Sequence, residues 1–325
     1  MKAPASLANP LRPAILAASR SSRVQRAVTG APVTRKLVDR FIAGDDRDSV
    51  LRTVRDLLDS GRSVSIDFLG EDTRDEEGAR ATVDEYLQLV ADLGALPEAA
   101  PGGSGVRRLE VSMKLSALGQ ALPDGGNTVA TNSARTICAA AEVAGVWVTV
   151  DAEDHTTTDS TLAIVRELRR DYPWLGTVLQ SYLRRTEQDC RELAGHGSRV
   201  RLCKGAYQEP ESVAFKDRAA VDASYLRCLE ILIDGSGYPM VASHDPSVIA
   251  AVGPLVAKTR RTFGDYEHQM LFGIRDLEQR RLADEGKQVR VYVPYGTQWY
   301  AYFMRRLAER PSNLRFFLRS VVSRD

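Results

Sequence analysis

No stretch of this 325-residue sequence approaches the ~18 consecutive apolar residues of a membrane-spanning helix, so no such span is expected within it. Cysteine is scarce. Cys138, Cys190, Cys203 and Cys228 show no CxxC spacing, which argues against a disulfide framework or a zinc knuckle and for buried or near-buried thiols in a reducing compartment. The four histidines form neither HxH nor HExxH, so no metal is expected. No GxGxxG follows an apolar run, which removes the usual sequence sign of a dinucleotide fold. An excess of one charge is also missing: 44 Lys and Arg face 43 Asp and Glu, a net charge of +1 that gives no reason to expect nucleic acid.

One absence is local. From Met1 to Val38 there is no Asp or Glu, while Lys2, Arg12, Arg20, Arg23, Arg26, Arg35 and Lys36 are all basic. The stretch reads either as a helical arm with a basic face or as a segment resembling a transit peptide; it has no secretory h-region. A second basic stretch, Arg310 to Arg324, also holds Leu314, Phe316, Phe317 and Leu318. The two ends read as packed helices or as peripheral contacts for an anionic membrane surface.

What the chain does have is alternation. Residues 1–60 read as an N-terminal helical arm, with helices over Pro13–Val28, Val33–Ala43 and Asp48–Leu58, the last capped by Asp46 or Asp48. Residues 61–325 then alternate short β-branched runs with longer helical patterns. The runs are 63–68, 108–114, 146–151, 177–182, 200–204, 238–243, 266–271 and 289–293, the seventh being the weakest and expected to be short or irregular. Helical patterns fall near 76–93, 130–144, 158–170, 185–194, 212–234, 246–258, 275–285 and 298–309. Eight such units over ~250 residues predict an α/β fold of the TIM type, a closed (β/α)8 barrel. A doubly wound open sheet is the alternative, and it lacks its phosphate loop.

Active-site groups of a barrel project from the C-terminal ends of its strands. Those ends are polar here: Asp67, then Lys114, then Asp151 with Glu153 beyond it, Gln180, Arg201 and Lys204, Ser243 and His244, Gln269, and Tyr292. Lys114 lies between apolar residues and needs a carboxylate, for which Asp151 is the natural partner. Arg201 and Lys204, three apart, face opposite sides of a strand, and one of them points inward. Gly205 and Ala206 beyond them leave room for a ligand. Near the C-terminus Tyr302, Arg305, Arg306 and Glu309 share one helical face, beside an apolar stripe of Trp299, Phe303 and Leu307. Alone that polar face reads as solvated; over a ring of polar strand ends it reads as the lining of a site. Paired guanidiniums suit a carboxylate. A Schiff-base aldolase using Lys114 or Lys204 is a rival on these residues, as is a barrel that only binds a small amino acid.

The order of motifs is more specific. Val-Ser-Met-Lys-Leu-Ser (111–116), Val-Asp-Ala-Glu-Asp (150–154), Leu-Gln-Ser-Tyr-Leu (179–183), Arg-Leu-Cys-Lys-Gly-Ala-Tyr (201–207), Ser-His-Asp (243–245), Tyr-Val-Pro-Tyr-Gly (292–296) and Tyr-x-x-Arg-Arg-Leu-x-Glu (302–309) together resemble the FAD-dependent proline dehydrogenase family, in its bacterial single-activity form. The resemblance spans about 60 to 310.

The resemblance implies a distorted barrel with FAD at the strand ends and the last helix over the mouth. It also implies oxidation of L-proline to Δ1-pyrroline-5-carboxylate, with electrons passed to a membrane quinone. The expected location is the cytoplasm, peripheral at the inner face of the membrane. Carried over, Arg305 and Arg306 hold the substrate carboxylate, Lys114 and Asp151 flank its ring and amine, Tyr292 and Tyr302 wall the pocket, and Leu202 lies near it. Arg201 falls near the reactive flavin nitrogen, Gln180 near the ring edge, and Lys204, Gly205 and Ala206 along the cofactor. Arg218 stands near the diphosphate in place of a usual lysine, and Ser243, His244 and Glu309 at the adenosine. Besides Arg218, four positions depart from the usual pattern: Ser243 replaces a threonine, Asp245 an asparagine, His268 a phenylalanine, and Arg310 an asparagine.

Overall fold

A computed structural model describes residues 38–70, 73–100 and 105–309, with side chains as far as Arg306. The helix expected over Pro13–Val28, residues 33–37 of the one expected over Val33–Ala43, and the basic stretch from Arg310 lie outside these residues. In the described part of the second, Val38–Ile42 is a turn closed by the Phe41 and Ile42 amides donating to the Val38 carbonyl.

Helix α1 (Arg47–Asp59) leads in, capped by Asp46, whose carboxylate accepts from the Ser49 amide. It is followed by β1 (Ser63–Phe68), α2 (Glu76–Gly94), β2 (Leu109–Met113), α3 (Gly126–Val143), β3 (Trp147–Val150), α4 (Thr158–Leu168), β4 (Gly176–Gln180), α5 (Thr186–Leu193) and β5 (Arg199–Cys203). Then come α6 (Arg218–Asp234), β6 (Tyr238–Ala242), α7 (Pro246–Val256), β7 (Glu267–Leu271), α8 (Asp276–Asp284), β8 (Val289–Tyr295) and α9 (Tyr300–Glu309). The strands pair in parallel in sequence order, and β8 closes on β1, giving the expected barrel. Its shortest seam is β3 to β4, with two register pairs.

Two elements differ most from expectation. The seventh strand is regular and pairs on both sides. The helix expected from 212 starts at Arg218. Ala214 instead bridges antiparallel to Leu183, and Asp217 caps the helix by accepting from the Ala220 amide. That leaves 204–217 as a long loop over the C-terminal side of β5.

Strand alternation sorts the side chains. Val64, Ile66, Leu109, Val111, Val148, Val150, Val291 and Val293 face outward and pack with Val50, Val54 and Leu57 of α1 and with apolar residues of α2 and α3. The inward positions are unusual. Barrel interiors are mostly branched apolar residues, yet here Ser65, Glu110, Ser112, Arg199, Arg201, Glu267, Gln269 and Arg290 are all buried. Burying charge is tolerable only when it is paired and hydrogen-bonded. Glu110 takes Arg199 on one oxygen, and on the other Arg201 at 2.8 Å and the Ser65 hydroxyl at 2.7 Å. Arg290 donates twice to Glu267, at 2.8 and 3.0 Å, and to the carbonyls of Val64, Arg107 and Arg108. Trp147 stacks under Arg199, 3.7 Å from guanidinium carbon to ring centre.

Helix α9 lies against the turn at Val38–Ile42. Trp299, Tyr302, Phe303 and Met304 pack with Val38, Phe41, Ile42, Leu69 and Ile274. Trp299 and Phe303 meet edge to face at 5.9 Å, as the spacing of the apolar stripe implied. Among the described residues no helix is long and apolar enough to cross a membrane.

Candidate active site at the C-terminal end of the barrel

Of Arg201 and Lys204, it is Arg201 that points inward, and all five of its N–H donors are used. Nε donates to Gln269 at 2.5 Å. One terminal nitrogen donates to Asp151 and Ser112, both at 2.7 Å; the other reaches Glu110 at 2.8 Å and Ser65 at 3.0 Å. A guanidinium held on five sides has little freedom left. Burial would raise the Glu110 carboxyl, but the guanidiniums of Arg199, Arg290 and Arg201 together hold it well below the usual carboxylate range.

One step up the barrel lies a second ring. Lys114 Nζ is 2.8 Å from both oxygens of Asp67 and 3.8 Å from Asp151. The expected partner, Asp151, is therefore secondary. Strand β2 lies between β1 and β3, so Lys114 has a carboxylate on each side, and its ammonium turns to the fully buried one. Asp67 is raised by its burial, a shift the Lys114 ammonium opposes. Asp151 is spanned by Arg201 on one oxygen and by the Tyr292 hydroxyl on the other, at 2.7 Å each. Burial, with Asp151 and Asp67 beside it, pushes the Tyr292 phenol well above its ordinary value, so it stays a donor.

Above this ring, α9 brings Tyr302 and Arg306, both nearly buried, and Arg305, partly exposed. The Arg306 guanidinium lies 5.0 Å from the Tyr302 ring centre. Arg305 lies 5.8 Å from the ring of Tyr207, which belongs to the loop after β5. Tyr207 was not singled out from the sequence; it stands two residues past Gly205, at the end of the motif.

The remaining positions gather at the β4, β5 and β6 ends. Gln180 is buried and donates to the Glu153 carbonyl at 2.8 Å. Lys204 is half-buried between Asp222 at 2.5 Å and Asp245 at 2.7 Å. Gly205 has φ +107°, and a Cβ there would sit 2.3 Å from the Tyr182 ring, so only glycine fits this turn. Ala206 follows, half-buried. Arg218, at the first turn of α6, is within 3.8 Å of the same two aspartates. Ser243 Oγ accepts from the Asp245 amide at 3.1 Å. His244 Nε2 accepts from the Leu271 amide at 2.9 Å, which places its proton on Nδ1 and ties β6 to β7. The side chain of Glu309 lies outside the described residues.

Leu202 is not brought to the mouth. With Arg201 facing inward, Leu202 must face outward, and it is buried among Leu179, Cys190, Tyr225 and Cys228 under α5 and α6. The apolar residue that packs with Tyr292 and the α9 cluster is Leu271, two steps along β7 from Gln269. Glu110, Glu267 and Arg290 are not among the polar strand ends that the sequence marks, yet all three are buried in this interior. Glu110 shares strand parity with Ser112 and Lys114, and that was the available signal. Both candidate lysine nucleophiles are tied to carboxylates, Lys114 to Asp67 and Lys204 to Asp222 and Asp245.

A closed parallel barrel whose strand ends converge in a buried ring of acids, bases and tyrosines, covered by the last described helix, defines a (β/α)8-barrel enzyme. The sequence model of one family, described as proline dehydrogenase, matches residues 50–319. Proline dehydrogenase 1 of Bacillus subtilis is 37% identical over 291 residues, covering 90% of this chain and 92% of that protein. The proline dehydrogenase of Deinococcus radiodurans is 38% identical over 288 residues, covering 88% and 90%. The chain belongs to the proline dehydrogenase family, whose members are oxidoreductases of proline catabolism and generally flavin-dependent. Among solved structures, proline utilization A from Bdellovibrio bacteriovorus matches with a TM-score of 0.79 at 24% identity; the alignment covers 95% of this chain but 37% of that one, a likeness of fold alone.

Proposed function

We propose that the protein oxidises L-proline to Δ1-pyrroline-5-carboxylate using FAD held at the C-terminal end of the barrel, and that it passes the electrons to a membrane quinone. The observation that carries this reading is the buried ring of Asp67, Lys114, Asp151, Tyr292 and Arg201 beneath a helix bearing two adjacent arginines.

The residues fit a flavin dinucleotide. Lys204 and Arg218 supply cations at the start of α6, where a helix N-terminus favours phosphate. The glycine-only turn at 205 lets backbone approach closely. Gln180 borders the ring system in this reading, with Ala206 along the cofactor and Ser243, His244 and Glu309 toward the adenosine. Bound there, FAD supplies the acceptor for the hydride that leaves proline.

The chain's own residues do the rest. Arg305 and Arg306 hold the substrate carboxylate, the fixed handle of a small zwitterion, and orient the ring carbon beside nitrogen. Tyr302, Tyr292 and Leu271 wall the ring. Asp151 attracts the amine. Lys114, an ammonium beside the same site, makes a second positive charge costly there and so favours loss of the amine proton before oxidation. Because all five Arg201 donors are committed, Arg201 acts through its charge, stabilising negative charge that develops beside it. The basic ends of the chain supply peripheral contact with the inner face of the cytoplasmic membrane, where a quinone is met.

Steady-state kinetics of Arg305→Met and Arg306→Met test this reading. Each is expected to raise KM for proline by roughly 30-fold or more with flavin retained, the scale of truncating one partner of a buried charge pair. Unchanged proline kinetics in both variants would remove the carboxylate role.

A further inference from the structure

Lys204, Arg218, Asp222 and Asp245 form an alternating square of charge. Lys204 lies 2.5 Å from Asp222 and 2.7 Å from Asp245, and Arg218 is 3.7 and 3.8 Å from the same two carboxylates. Two cations and two anions sum to zero. Two helices begin here: α6 at Arg218, and α7 directly after Asp245, which caps it by accepting from the Ser247 amide at 3.0 Å. Arg218 is a cation in the first turn of α6, where the helix dipole disfavours one. Positive helix ends with two cations make a place for an anion, and the chain's own carboxylates already occupy it.

We propose that Asp245 and Asp222 are competitors for the cofactor's diphosphate, so that FAD binds by exchanging with them at Lys204 and Arg218 and is held more weakly than the cations alone would hold it. This rests on the FAD reading above. Asp245 competes across the working pH range. Its burial would raise it, but bonds from Lys204 and Ser247 hold it down at about 2. Its contest with the diphosphate is electrostatic in a half-buried place, so it is sensitive to salt.

The test is flavin release from the full-length holoenzyme on serial dilution, read by flavin fluorescence. Asp245→Asn keeps the cap of α7, since asparagine caps as well as aspartate. It is expected to bind FAD about tenfold more tightly at low salt, with the gain shrinking at high salt, as expected for one charge in a partly solvated site. Asp222→Asn is expected to act in the same direction. Asp217→Asn removes a neighbouring cap charge that accepts from the Ala220 amide and makes no ion pair with Lys204 or Arg218 among the described residues, and is expected to leave affinity unchanged. Equal or weaker FAD binding in both Asp245→Asn and Asp222→Asn overturns the inference, as does an equal gain from Asp217→Asn. Wild-type protein that purifies without flavin absorbance and takes up no FAD overturns the cofactor reading and the inference together.

Discussion

Arg201 on β5 donates to Glu110 on β2 at 2.8 Å, across the interior between strands that are not neighbours, and Arg199 binds the other oxygen of the same carboxylate. Glu110 is thus the counter-charge that keeps two buried guanidiniums in place. Removing it leaves both short of a partner. Glu110→Ala is expected to cost about 3–5 kcal/mol in urea unfolding, the range for breaking a buried ion pair. The exposed Arg80–Glu76 pair of α2 is the comparison, and Glu76→Ala should cost under ~0.5 kcal/mol. A Glu110→Ala loss as small as that of Glu76→Ala would mean the interior network holds little.

Tyr292 is expected to act through its hydroxyl. Tyr292→Phe keeps the ring but removes the hydroxyl that donates to Asp151 and also lies beside Asp67, so kcat/KM for proline should fall roughly 10- to 100-fold, the worth of a hydrogen bond to a charged group. The thermal midpoint should change little. Unaltered kcat/KM would place Asp151 outside the reaction.

Leu202 and Leu271 separate packing from function. Leu202→Ala should cost about 2–5 kcal/mol in unfolding, as buried leucine truncations do, and leave KM for proline unchanged. Leu271→Ala should raise KM instead. The reverse pattern would show that strand alternation at β5 and β7 has been assigned to the wrong face.

His268 sets a pH dependence of stability. Burial, with Lys287 and Arg281 nearby, lowers its imidazolium from an ordinary 6.5 to about 4. Between those values the unfolded chain binds a proton that the folded chain refuses. Stability contributed by the neutral ring is therefore full above pH 6.5, is lost as pH falls, and levels off below about 4. The His268→Phe variant should lack this component, on the order of 3 kcal/mol, since each pH unit between the two values contributes about 1.4 kcal/mol. Parallel stability–pH curves for the two proteins between pH 7 and 4 would contradict it.

Much of this was readable in advance because a barrel strand advertises itself as a β-branched run, and its end as the polar residue that breaks the run. Asp67, Lys114, Asp151, Arg201 and Tyr292 were visible that way. The partner of Lys114 was not. β2 has a neighbour on each side, both ending in aspartate, and only side-chain direction chooses Asp67. Glu110, Arg199, Glu267 and Arg290 were passed over because a charged residue is ordinarily read as exposed. Spacing alone left open whether Arg201 or Lys204 points inward; with Arg201 inward, strand alternation turns Leu202 outward. The pairing of Arg305 with Tyr207 joins segments about a hundred residues apart, and no local pattern encodes it.

The most direct test is the absorbance of the purified holoenzyme under anaerobic conditions as L-proline is added. The account predicts a yellow protein whose flavin bands bleach on adding proline and recover when an oxidised quinone is supplied. A protein that stays yellow with saturating proline would contradict the proposed activity. A protein that is colourless and takes up no FAD would contradict the proposed cofactor.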